Sequence, residues 1–322
     1  MRSRAPERQQ FDPRSAALRR FGLSITALTV LGHTVLGFEQ AYRTPVVAVL
    51  AAVGTELLLE SVEALTGGRR PRYRSPPGQA LDFLLPAYIA GLACAMLLYG
   101  NGRALPIVFA AVVAVASKYI VRLPVGGRSR HVLNPSNAGI VVVLLMFPWV
   151  GIAPPYQFTE WFSGWLDAAV PLLLLAAGTM LNAKLTGKMP LILGWVAGFL
   201  AQAVIRGALT EVSLISALLP VTGVAFLLFT NYMITDPGTT PSARRGQLVF
   251  GASTAAVYGV LVQLHIVFGL FFALVITCVL RAACLVVGDV LGRRRARPAV
   301  RRELVTSDPV PVASTVSEGN AR

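Results

Sequence analysis

The sequence predicts an all-α, polytopic membrane protein of about ten transmembrane helices. Three observations predict it. The 322 residues are 55% hydrophobic and only 14% charged, against about 25% charged in an ordinary soluble domain. Apolar runs of membrane length recur along almost the whole chain. Basic residues gather in the two tails and in alternate connections between those runs.

A spanning helix needs roughly 20 mostly apolar residues. Candidate spans fall at about 21–40, 45–65, 80–99, 104–123, 136–153, 167–183, 190–207, 214–235, 246–264 and 266–291. The last two join without Gly or Pro between them. One continuous helix there would be about 68 Å long at 1.5 Å per residue. That is more than twice a hydrocarbon thickness of about 30 Å, so the chain must turn back, with Gln263 and His265 marking the turn.

The distribution of charge sets the orientation. An even number of spans with the N-terminus inside puts Arg69, Arg70, Arg72, Arg74, Lys118, Arg122, Arg128, Arg130, Lys184, Lys188, Arg244 and Arg245 on the cytoplasmic side, with both tails. Only Arg43, Arg103 and Arg206 fall outside, together with the interfacial aromatics Tyr156, Trp161 and Trp165. The expected organisation is a basic cytoplasmic tail (1–20), a transmembrane domain (21–291) and a second basic tail (292–322) in the plasma membrane. Both tails are polar and without apolar periodicity, which predicts disorder. Ten spans suggest two five-helix halves in an inverted repeat. The net charge of +14 therefore reads as membrane orientation, with the bilayer and not nucleic acid as partner. Cys94, Cys278 and Cys284 lack metal-ligand spacing, so no metal site is expected.

Two polar stretches interrupt the oily chain. In the first, Asn134 before Pro135 is a natural helix N-cap, with proline at the first helical position. One cap needs one side chain, yet Asn134, Ser136 and Asn137 cluster beside His131. In the second, Asp236 before Pro237 ends a helix, with Thr235, Thr239 and Thr240 around it. Each is explained in part as a cap or turn. The functional reading is a shared polar pocket at the cytoplasmic ends of two spans, in which Asn134, Ser136, Asn137, Thr235 and Asp236 contact a ligand.

Ionisable residues inside spans form a second set of candidates, because charge at bilayer depth is costly and tends to be functional. Glu56, Glu60 and Glu63 share one helical face. His33 lies near the middle of the first span and Glu39 near its outer end. Proton or ion handling is the expected role of His33, Glu39, Glu56 and Glu60. Interhelical clamping is the alternative, with Arg103, Arg206 or Arg281 as partners. Glu63 reads as solvated. Gly194-Trp195-Val196-Ala197-Gly198 is a small-residue packing motif.

At the two polar stretches the chain resembles the NqrB/RnfD family of membrane electron-transport subunits. Asn134-Pro135-Ser136-Asn137, and Thr235-Asp236-Pro237 followed by Arg244-Arg245-Gly246, carry the resemblance, which covers about residues 20 to 290. The segment Leu31-Gly32-His33-Thr34-Val35-Leu36-Gly37-Phe38-Glu39-Gln40 is most similar to the UnbU-type proteins of enediyne antibiotic biosynthesis. The resemblance implies ten helices in two five-helix repeats, a flavin and electron transfer to or from other proteins. It does not extend to covalent FMN: the Ser/Thr-Gly-Ala-Thr attachment motif is absent, and Gly251-Ala252-Ser253-Thr254 has the wrong order. The expected function is therefore noncovalent binding of a flavin or quinone-like group in support of electron transfer. The alternative is membrane transport of a small molecule or ion.

Overall fold

The computed structural model describes residues 13–125, 128–153, 161 and 163–306. Most of both tails, and Tyr156 and Thr159 of the outer loop, lie outside the described residues. The helices are α1 (Pro13–Leu31), α2 (Arg43–Thr66), α3 (Pro77–Leu97), α4 (Leu105–Ile120), α5 (Pro135–Met146), α6 (Trp165–Leu181), α7 (Met189–Leu209), α8 (Leu214–Leu218), α9 (Val224–Leu228), α10 (Arg244–Gln263) and α11 (Gly269–Thr306). Two small antiparallel pairs complete the described fold: β1 (Leu98–Tyr99) with β4 (Gly151–Ile152), and β2 (Arg122–Val125) with β3 (Arg128–His131).

Helix occurs in all ten apolar windows, but helix length and composition give fewer spans than ten. Among the described residues five segments are long and apolar enough to cross a membrane: α2, α3, α7, α10 and Gly269–Leu291 of α11. A sixth arises if Leu214–Val221 and Ala225–Met233, bent by 60°, count as one span. The shortfall has physical causes. α4 and α5 have 16 and 12 residues, short of the roughly 20 that a full crossing takes. The first turns of α1 hold Arg14, Arg19 and Arg20, while its apolar run continues into the wide-turn segment Gly32–Leu36.

Helix also extends beyond the expected domain limits. α1 begins at Pro13, inside the segment read as a tail, and α11 continues to Thr306, past the expected end at 291. The break between α10 and α11 falls at 264–268, where His265 and Phe268 take positive φ values of 57° and 64°.

α1 packs on α3, α2 on α3 and α4, and α4 on α5; further along the chain α6 packs on α9, α7 on α8 and α10, and α10 on α11. The two groups fill their interiors differently. The first brings helices close through small residues: Ala48, Ala52, Ala110, Ala111 and Ala114 are fully enclosed. The second is built around Trp195, whose ring meets Phe199, Phe226, Phe229 and Tyr258 at centroid distances of 5.2–6.1 Å. The Trp195 indole N–H donates to the Thr230 hydroxyl at 2.9 Å, which satisfies the ring's one polar atom.

α1 and α6 end alike. Each continues into five residues of π-helix, Gly32–Leu36 and Asn182–Thr186, and each is stopped by a glycine with positive φ, Gly37 at 84° and Gly187 at 63°. The next amide closes the same wide ring in both: Phe38 N–H to Gly32 O at 2.9 Å and Lys188 N–H to Asn182 O at 3.2 Å.

Candidate functional site

The two polar stretches meet. Asn134 caps α5, its Oδ1 accepting from the Asn137 N–H at 3.0 Å and from the Ser136 hydroxyl at 2.9 Å. Its Nδ2 donates to the Met233 carbonyl at 3.0 Å. A second contact joins the same stretches: His131 Nε2 lies 3.8 Å from Asp236 Oδ2. Gly238 has no Cβ to spare, since one would strike the His131 ring. The Thr235 hydroxyl donates to Asn231 O at 2.7 Å, and Thr239 donates to Asp236 Oδ2 at 2.9 Å. Burial pushes the Asp236 carboxyl up, but His131, the Thr239 hydroxyl and the Gly238 N–H outweigh it and hold the group below its ordinary value.

These bonds show what each polar group is committed to. The Asn134 amide is occupied at both ends, so it works as a strut between the start of α5 and the end of the π-helical turn Phe229–Met233. Asn137 reaches α11, its Nδ2 donating to Phe271 O at 3.0 Å, while its buried Oδ1 has no hydrogen-bond partner among the described residues. Asn182 reaches Asn231 O at 2.7 Å, and Lys188 reaches Pro241 O at 2.8 Å.

Beside the strut runs an open cleft of about 1840 Å³. Asn134, Ser136, Thr235 and Asp236 line it; Asn137 does not. α1, α3, α6 and the Phe229–Met233 turn form its walls, where Phe21 and Tyr232 stack with centroids 5.1 Å apart and planes 8° apart. Asn231 and Gln247 also line it, and each has a buried amide oxygen with no hydrogen-bond partner among the described residues. A buried acceptor without a donor is costly.

The acidic candidates separate into three environments. Glu56 lines the cleft, is 2% exposed, and is held by Lys118 Nζ at 2.5 Å and the Tyr119 hydroxyl at 3.0 Å. Glu60 is fully buried and does not line the cleft. Arg69 and Arg72 enclose it with bidentate guanidinium contacts, and the Arg72 N–H adds a bond at 2.8 Å. Glu63 is ion-paired with Arg122 at 2.6 Å and also meets Arg69 and Arg72. The partners expected from the sequence are therefore replaced. Arg103 stacks on Trp149, and Arg281 donates to Thr239 O at 2.7 Å.

His33 and Glu39 are not brought to the cleft. His33 sits in the π-helical turn after α1, where Nδ1 donates to Thr29 O at 2.8 Å and Nε2 is buried without a partner among the described residues. Glu39 is exposed beyond that turn. Sequence reasoning missed Asn231, Gln247, Phe21 and Tyr232 in the cleft wall, because nothing marks an isolated polar or aromatic residue in an apolar run as facing a cavity. It counted Lys118 as a loop charge. The available signal was its position one helical turn from the end of an apolar segment.

No protein-family model matches the chain, and no curated protein matches it in sequence. Fold and site together define a class: a predominantly helical protein with membrane-length apolar helices and a polar-mouthed cleft between two helix groups. Among the described residues no group of three or more His, Cys, Asp or Glu is placed to hold a metal ion.

Proposed function

We propose that this is a plasma-membrane protein of ten spans in two inverted five-helix halves, both termini cytoplasmic, of the RnfD/NqrB-like type. In this reading it holds a flavin or quinone-like group noncovalently in the cleft. It supports electron transfer with partner proteins in an enediyne biosynthetic pathway. The observation that carries the ligand site is the joining of two polar stretches, far apart in sequence, in one wall of one cleft.

The doubled plan is supported by the order of helix packing, which repeats from the first five segments to the second. It is supported again by the matching ends of α1 and α6. An odd number of helices per half makes the second half run oppositely through the membrane, so those two ends lie at opposite faces.

The residues of the cleft fit a heteroaromatic ring. The Phe21–Tyr232 pair offers an aromatic wall, and the side chains of Asn231 and Gln247 give it a polar border. When bound, such a group supplies reversible one- or two-electron chemistry. The chain's part is to orient the ring with Asn231 and Gln247 and to exclude water with α1 and α3. The detergent-purified protein should show flavin or quinone absorbance, with the same group in its extract by mass spectrometry. Gln247→Leu should reduce that content several-fold while leaving the protein folded. A folded preparation containing neither group would overturn the redox reading.

Transport is the second reading, favoured by the Glu56–Lys118 ion pair in the wall of a cleft between two halves. It requires solute flux into proteoliposomes that persists without flavin and stops in Glu56→Gln. Unchanged flux in that variant would count against it.

A further inference from the structure

The charges of the cleft do not cancel. The carboxylates that line it are already engaged: Glu56 is paired with Lys118, Glu63 with Arg122 and Asp82 with Arg19, and Asp236 lies 3.8 Å from the His131 ring. Arg130 and Arg281 line the same mouth, and neither is in ion-pair contact with a carboxylate among the described residues. Arg281 is half-buried, and among the described residues its guanidinium hydrogen-bonds to the Thr239 carbonyl alone. A partly desolvated cation beside a second cation leaves positive potential that an anion would relieve.

The other end of the cleft has the opposite character. The lining of α1 extends from Ser15 to Leu31, a rise of about 24 Å. Around Leu28, Leu31, Met96 and Leu97 no charged residue lines it. The volume of about 1840 Å³ also exceeds the roughly 300–1,000 Å³ that a compact ligand occupies. The space is thus long, apolar at one end and cationic at the other.

We infer that the cleft takes an anionic lipid from the bilayer, with its phosphate between Arg130 and Arg281 and one chain lying along α1 and α3. The basic end is the one read as cytoplasmic, where anionic lipids concentrate. Burial of its methylenes lets the acyl chain supply affinity while the arginines supply selectivity. The inference rests on the cleft being a ligand site, as proposed above, but not on redox chemistry.

Delipidated full-length protein in a non-ionic detergent would be probed with phosphatidic acid, phosphatidylcholine of the same chains, and inorganic phosphate. Occupancy would be read by native mass spectrometry. Phosphatidic acid should bind at least tenfold tighter than phosphatidylcholine. Arg130→Gln, at an exposed position, should narrow that preference. Arg130→Gln with Arg281→Gln should remove it, and inorganic phosphate alone should not compete. Equal binding of the two lipids would overturn the inference. So would an unchanged preference in the double variant, or competition by phosphate at comparable concentration. Flavin content, measured on the same preparation, separates the two proposals. Lipid selectivity without flavin sinks only the redox reading, and flavin without lipid selectivity sinks only this one.

Discussion

Lys118→Met should destabilise the protein by about 3–5 kcal/mol, the cost of leaving one partner of a buried ion pair uncompensated. Glu56, 2% exposed, would keep the Tyr119 hydroxyl as its one donor among the described residues. Glu56→Gln should cost less, because the Lys118 side chain is 15% exposed and its flexible stem can carry the ammonium toward the open cleft. The double variant Glu56→Gln, Lys118→Met should recover much of the loss, since no buried charge then lacks a partner. Thermal unfolding in detergent, read as a double-mutant cycle, measures all three. Equal costs for the two single variants, with simple additivity in the double, would show that the pair is not buried together.

Gly251→Leu should push α10 away from α7 and lower the thermal midpoint clearly. A Cβ at Gly251 would collide with the Leu191 carbonyl and come within 2.6 Å of the Trp195 amide. Those are backbone atoms of a neighbouring helix and cannot swing aside as a side-chain tip can. The reciprocal contact is as close, because Gly194 lies against the Leu248 backbone. Forcing the helices apart would open the cluster of Trp195, Phe199 and Tyr258, and overpacking of this kind costs about 1–3 kcal/mol or more. Gly54→Ala supplies the contrast. Nothing lies within 4 Å of a Cβ there, so the better helix propensity of alanine should make it neutral or stabilising by up to about 1 kcal/mol. Size-exclusion profiles and thermal midpoints distinguish these outcomes. A Gly251→Leu protein as stable as the parent would mean that α7 and α10 do not pack as closely as this.

Helix positions were legible in the sequence, because apolar runs of about 20 residues have few other uses. The turn at 264–268 was legible from length alone. So was the cap at Asn134, where the residue type and the following proline act locally. What the sequence could not supply was which helix faces meet. Glu56 and Lys118 are 62 residues apart, and the helical period that aligns Glu56, Glu60 and Glu63 does not say what lies opposite. Glu60 finds its cations in the connection directly after its own helix, a local solution that looks like a solvated loop in one dimension. His33 and Glu39 lie apart from those acids for a different reason. The wide turn and the left-handed Gly37 redirect the chain between them, so neighbours in sequence end in unlike surroundings.

The length of α11 has a geometric consequence. Its 38 residues span about 57 Å at 1.5 Å per residue, nearly twice a hydrocarbon core of about 30 Å. Past the apolar stretch Gly269–Leu291 the same helix runs on through residues 292–306 for about 22 Å more. That continuation carries Arg293, Arg294, Arg295, Arg297, Arg301 and Arg302, so one unbroken helix passes from an oily sequence to a strongly basic one, the kind of segment that anionic headgroups attract.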